Sequence, residues 1–278
     1  MADGQKPIIG LTDFVECVLD IREKWTAQDK VHDEKCDTER SPTQLWFRGL
    51  PSVKFDLVPG FYRLKDPDEN EIWSGFKRQG FLQLIPDIRL PQDDVEWYFL
   101  MQHHGAPTRL LDWTDGALLG LYFALRDHPH INKEKCQHES EDAAVWVLDP
   151  VWLNRKSMPD SYTEGVLLYD WDEVEPWFPE PFVETLHVRN PVAIDPPHVA
   201  RRVAVQHSRF TVHGTERNGI QTIANENPQD CRLEKITIAK REIENLFVDL
   251  GTCGIVETTI FPDLEGLARQ LKREWGGR

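Results

Sequence analysis

Apolar runs of strand length and apolar runs of helical period follow one another along this chain in an irregular order, and that order limits the fold more than any single motif. A parallel sheet of βαβ units would repeat strand and helix in steady alternation. Here QLWFRGL, closed by Gly49 and Pro51, reads as a short buried strand, and AAVWVLDP, with six apolar residues between an acidic run and Asp149-Pro150, reads as the clearest one. RRVAVQHSRFTVHG reads as one or two further strands and LEKITIAK as another. Helical spacing marks LTDFVECVLDIREKW, a first helix over about 8–28 with Thr12 as its N-cap. EIWSGFKRQGFLQL is helical but interrupted by two glycines; PQDDVEWYFLMQHHG starts with acids and stops at Gly105 and Pro107; DGALLGLYFALRD is apolar nearly all round, with Thr114 as its cap; REIENLFVDLG ends at Gly251. The last unit, IVETTIFPDLEGLARQLKREW, reads as a short strand and a helix opening near Pro262. The prediction is an α+β fold: a mixed, mostly antiparallel sheet with flanking helices, in one domain over 1–278, with an irregular insertion over about 155–200 that must bury Trp171, Trp177, Phe178 and Phe182.

The net charge of -15 argues against a protein that grips duplex nucleic acid by neutralising phosphates. No run approaches the roughly 18 apolar residues of a membrane span, and MADGQKPIIG lacks a secretory signature, so a cytoplasmic protein without a membrane partner is expected. The five cysteines are scattered without a C-x-x-C pair, which suggests reduced thiols. HPHINKEKCQH offers His128, His130, Cys136 and His138 to a metal, but in a spacing that matches no tetrahedral site, and no metal is expected. G-x-G-x-x-G, the P-loop, H-E-x-x-H and G-x-S-x-G are all absent, which removes the usual support for Rossmann, P-loop, zincin and α/β-hydrolase chemistry.

Polar, chemically able side chains concentrate in MQHHGAPTRLLDWTDGALLGLYFALRD. As a loop joining a helix C-terminus to a buried helix, it could use Asp112 and Thr114 as caps, pair Arg109 with Asp112 and turn His103 or His104 onto free carbonyls. Alternatively, Gln102, His103, Arg109 and Asp112 line a cleft, fixed in place by the buried helix. WFRGL has the same duality. An arginine in an apolar strand either snorkels or meets a carboxylate or an anionic ligand, and Gly49 beside Arg48 permits close approach of backbone or ligand.

These two stretches resemble the FRG domain family, named for its aromatic-Arg-Gly motif. Phe47, Arg48 and Gly49 match the first family motif; Gln102, His103, Gly105, Pro107, Thr108, Arg109, Leu110, Leu111, Asp112, Trp113 and Thr114 match the second, with His104 where the family usually has tyrosine. RVAVQHSRFTVHG, with Gln206 and Phe210, and GIVETTIFPDLEGLA, with Glu257, also look family-like. The resemblance brings no assigned reaction, so function must be argued from the site. In chain order the layout is similar to ADP-ribosyltransferases: an early-strand arginine to hold NAD, and a late-strand glutamate for the oxocarbenium-like state of nicotinamide–ribose cleavage. That analogy allows an ADP-ribosyltransferase-like split sheet and gives an expected site. Glu257 is its carboxylate; Arg48 and Arg109 anchor phosphate or ribose; Gly49 and Gln102 line the ligand; His103 and Asp112 position the loop or relay a proton; Gln206 and Phe210 wall the nicotinamide. Two rivals stay open: an anion- or nucleotide-binding module without turnover, and a nucleotide- or nucleic-acid-processing hydrolase with His103 as base and Asp112 as its orienter.

Overall fold

The run AAVWVL forms β3 (Ala143–Leu148), with every residue buried. A strand apolar on both sides needs cover on both faces, and the surrounding chain supplies it. The computed structural model describes residues 7–33, 43–80, 83, 91–132, 141–158, 165–170, 172–179, 188–196 and 208–275. With β3 in one sheet lie β1 (Trp46–Leu50), β2 (Leu110–Thr114), β4 (Leu167–Leu168), β5 (Val192–Asp195), β6 (Ser208–Val212) and β7 (Leu233–Ile238), in the order β4-β5-β6-β2-β1-β3-β7. All neighbours are antiparallel except β4 and β5, so the sheet is mixed and mostly antiparallel. The helices are α1 (Leu11–Asp33), α2 (Glu69–Gly80), α3 (Asp94–His103), α4 (Ala117–Arg126), α5 (Pro150–Ser157), α6 (Gly219–Glu226), α7 (Ile243–Thr252), α8 (Glu257–Ile260) and α9 (Leu264–Trp275).

Period-two alternation sorts the side chains between two apolar layers. Phe47, Val145, Val147, Ile236 and Ile238 pack with Phe14 and Trp25 of α1, Leu121 and Leu125 of α4, and Leu246 and Leu250 of α7. From the other side of the same strands, Trp46, Leu50, Trp146 and Leu148 join Trp113 of β2, Trp152 and Leu153 of α5, and Ile220 and Ile223 of α6. A third cluster gathers Leu110, Phe210, Val212, Val192 and Ile194 under Trp73 of α2 and Tyr98, Phe99 and Met101 of α3. Trp177 and Phe178 bury there too, while Trp171 and Phe182 lie outside the described residues.

Several expectations change. LLDWT is a strand, because β6 pairs with all five of its residues. Thr114 is therefore a strand residue, and α4 takes Gly116 as its N-cap. α1 starts at Leu11, which puts Thr12 inside the helix. The 155–200 region is not merely an irregular insertion: it contributes β4 and β5 to the sheet. IVETTIF is not a strand; Glu257 to Ile260 form one helical turn, closed where the Val256 N–H donates to Thr259 Oγ1 at 3.0 Å.

Candidate functional site

The centre of the sheet is loosely joined. β1 shares five residue pairs with β3 and β2 shares five with β6, yet β1 and β2 are held by the single pair Phe47↔Thr114. Beyond that pair no further β pairing joins the two strands among the described residues, and the Arg48 side chain bridges them. Its Nη1 donates to the Asp112 carbonyl at 2.5 Å and lies 3.8 Å from Asp112 Oδ2. The Arg48 side chain is only 17% exposed, and its Nε is buried without a hydrogen-bond partner among the described residues. A donor stranded in this way costs about 1–3 kcal/mol unless an oxygen from water or a ligand meets it.

Asp112 is the residue that Arg48 meets. Its side chain is 55% exposed, yet surrounding protein raises the carboxyl above its ordinary value, against the opposing pull of Arg48, the Gln102 hydrogen bond and Arg63. The carboxylate therefore meets solvent on one side and packed protein on the other. Gln102, on the last turn of α3, donates from Nε2 to Asp112 Oδ2 at 2.7 Å. Behind it, Thr108 bonds to Gln102 Oε1 and accepts the Leu110 N–H at 3.1 Å. Arg63 comes from a 3₁₀ turn, Phe61–Arg63, that is tied to the start of β2 by Phe61 N–H donating to Thr108 O at 3.0 Å. His103 closes α3 beside Gln102, its ring edge-on to His104 with centroids 5.2 Å apart.

Residues 43–133, which carry β1, β2 and the Arg48, Gln102 and Asp112 cluster, match the family model of the FRG domain. Comparison with curated proteins gives no match, and neither does comparison with solved structures.

Within the matched region the structure brings Arg48, Gln102 and Asp112 together and places His103 against His104, and it gives other motif residues different work. The motif glycine Gly49 faces α4: a Cβ there would stand 2.1 Å from Gly120 O and 2.3 Å from Ala124 N. The close approach that this glycine permits is therefore made by helix backbone, on the face opposite Arg48. Arg109 turns inward. At 1% exposure it donates from Nε to both Glu69 oxygens at 2.8 Å and from Nη1 and Nη2 to the carbonyls of His213 and Trp177. It does not pair with Asp112; it ties α2, β2, the 172–177 turn and the end of β6 into one body. Phe210 is core, 5% exposed and edge-on to Phe99 at 5.1 Å.

Glu257, the expected carboxylate, lies away from Arg48. It bonds to Tyr122 of α4, to Arg269 at 2.8 Å and Arg273 at 3.2 Å of α9, and meets Arg126 at 3.5 Å. These partners lie on α4 and α9, none on β1 or β2, and Glu257 is 2% exposed. Its pKa is lowered because Tyr122 and the arginines outweigh its burial. Gln206 lies outside the described residues, as do Cys136 and His138. Among the described residues no group of three or more His, Cys, Asp or Glu is placed to hold a metal, and no helix is long and apolar enough to cross a membrane. Sequence reasoning passed over Arg63 and the role of Thr108; an arginine beside two aromatics and a threonine two residues before a strand carry no signal of convergence on their own.

Proposed function

We propose that the Arg48, Gln102 and Asp112 cluster between β1 and β2 binds NAD and that the protein cleaves its nicotinamide–ribose bond, passing ADP-ribose to water or to an acceptor. The observation that carries this reading is the Asp112 carboxylate: open to solvent, tethered by Gln102, with the Arg48 guanidinium 3.8 Å away. Departure of nicotinamide leaves positive charge on the ribose, and a fixed, partly desolvated carboxylate stabilises that charge more strongly than water does. Asp112 thus takes the role that chain order suggested for Glu257. Arg48 is the dinucleotide anchor; its unpartnered Nε–H suits a phosphate or ribose oxygen. The -15 charge of the chain fits a small ligand held locally better than an extended polynucleotide.

The experiment is incubation with NAD, with free nicotinamide measured by mass spectrometry. Arg48→Ala and Asp112→Asn should each lower release by on the order of a hundredfold or more, in line with loss of one transition-state contact, while a folded Glu257→Gln should retain it. NAD binding without nicotinamide release would favour the second reading, a non-catalytic anion-binding module, which the enclosure of Glu257 supports. A protein that neither binds nor cleaves NAD sinks both.

A further inference from the structure

Thr108 is fully buried, so no water can substitute for its partners. A threonine hydroxyl has one proton and two lone pairs. One lone pair accepts the Leu110 N–H at 3.1 Å, and the proton goes to Gln102 Oε1. An amide whose oxygen is engaged in this way can present only its NH₂ to the far side, where Asp112 Oδ2 accepts it at 2.7 Å. Turned over, the amide would set oxygen against carboxylate and leave the hydroxyl proton without an acceptor. The acceptor-only carboxylate and the hydroxyl proton together therefore fix which end of Gln102 meets Asp112, and the hydroxyl holds the amide in that orientation from behind.

We propose that Thr108 is a positioning residue for the reaction: by locking the Gln102 amide it keeps a donor on Asp112, which holds the carboxylate ionised and in one orientation. The role in turnover rests on the reading that Asp112 is the reacting carboxylate. The charged groups facing Asp112 are Arg48 of β1 and Arg63 of the Phe61–Arg63 turn; α3 supplies Gln102, and β6 places Phe210 opposite it. Neither arginine is altered by changes at Thr108.

The test follows the Asp112 carboxyl by carbon NMR in the free protein, assigned by its loss in Asp112→Asn. Thr108→Val, nearly the same shape without the hydroxyl, should move the titration to higher pH; Thr108→Ser should restore it. A folded Thr108→Val that titrates like wild type overturns the proposal, and so does a Thr108→Ser that shifts as far as the valine variant. If Thr108→Val does not fold, the wild-type protein gives the answer. A slowly exchanging Thr108 hydroxyl proton and a Gln102 side-chain nitrogen that follows the Asp112 titration support it, and a nitrogen that stays still overturns it. Nicotinamide release by Thr108→Val should fall about tenfold at neutral pH, the worth of one charge-assisted hydrogen bond. A shifted titration in a protein that releases no nicotinamide would refute the NAD reading and leave the hydrogen-bond relay standing.

Discussion

Replacing Arg109 by methionine distinguishes a structural arginine from a ligand-binding one. The guanidinium is 1% exposed and saturated by Glu69 and by the carbonyls of His213 and Trp177. Methionine fills much of the stem volume but supplies no donor. The Glu69 carboxylate, 18% exposed, then loses its cation, and breaking one side of a buried pair costs about 3–5 kcal/mol. Two buried carbonyls left without donors would each cost about 1–3 kcal/mol, although part is recovered as the neighbouring loops relax and admit water. Since the terms are coupled and do not add, a net loss of about 4–5 kcal/mol is expected, a large share of the roughly 5–15 kcal/mol that holds an ordinary domain together. Urea unfolding followed by tryptophan fluorescence and by circular dichroism reads it directly. Arg109→Lys, which keeps the charge but cannot serve three directions at once, should fall between the two. A methionine variant that loses less than about 1 kcal/mol would refute the reasoning, most decisively if it also lost affinity for NAD, because Arg109 would then be a ligand anchor.

Glu257→Gln should lower stability by about 3 kcal/mol, less than a fully sealed pair because its three arginines are partly exposed, and should loosen α9 from α4 in hydrogen exchange. Gly49→Ala should cost about 3 kcal/mol or prevent folding, since its Cβ would meet helix backbone at 2.1 and 2.3 Å; wild-type stability in a denaturation curve would contradict this packing. His213 is fully buried, and neither ring nitrogen forms a hydrogen bond of full geometry among the described residues, although the backbone of Glu216 and Arg217 acts on the ring. Burial foremost, with Arg109 and Arg48 nearby, pushes its pKa down to about 3 from 6.5. The unfolded chain thus takes up a proton that the native one refuses, so stability falls from pH 6.5 toward pH 3 by up to about 1.4 kcal/mol per unit. His213→Leu should flatten that limb in urea titrations at several pH values, and an unchanged slope would remove His213 as its source.

Local patterns were readable where a segment carried its own period. The six apolar residues of β3 and the capped start of α3, where Asp93 accepts the Glu96 N–H at 2.7 Å, fall where composition and spacing put them. β2 did not, because Leu110, Leu111 and Trp113 around Asp112 follow neither alternation nor helical spacing; pairing with β6 makes it a strand. β4 and β5 were hidden for a similar reason, being short and stabilised by neighbours distant in sequence. IVETTIF, rich in β-branched residues, looks extended, yet arginines 12 and 16 positions further on, together with Arg126, draw Glu257 into a helical turn.

By itself the sequence determined the α+β class, most helices, three of the central strands and the FRG motif residues, since periodicity and turn chemistry act over a few residues. Only the tertiary structure decided that Arg48 and Gly49, adjacent in the motif, serve opposite faces of the sheet, that Arg109 is a structural tie, and that Asp112 rather than Glu257 meets Arg48. Those outcomes depend on register and on which long-range partner satisfies each buried charge. The cost of leaving a guanidinium or a carboxylate unpaired in the interior is settled by the whole fold, and no short stretch of chain carries that information.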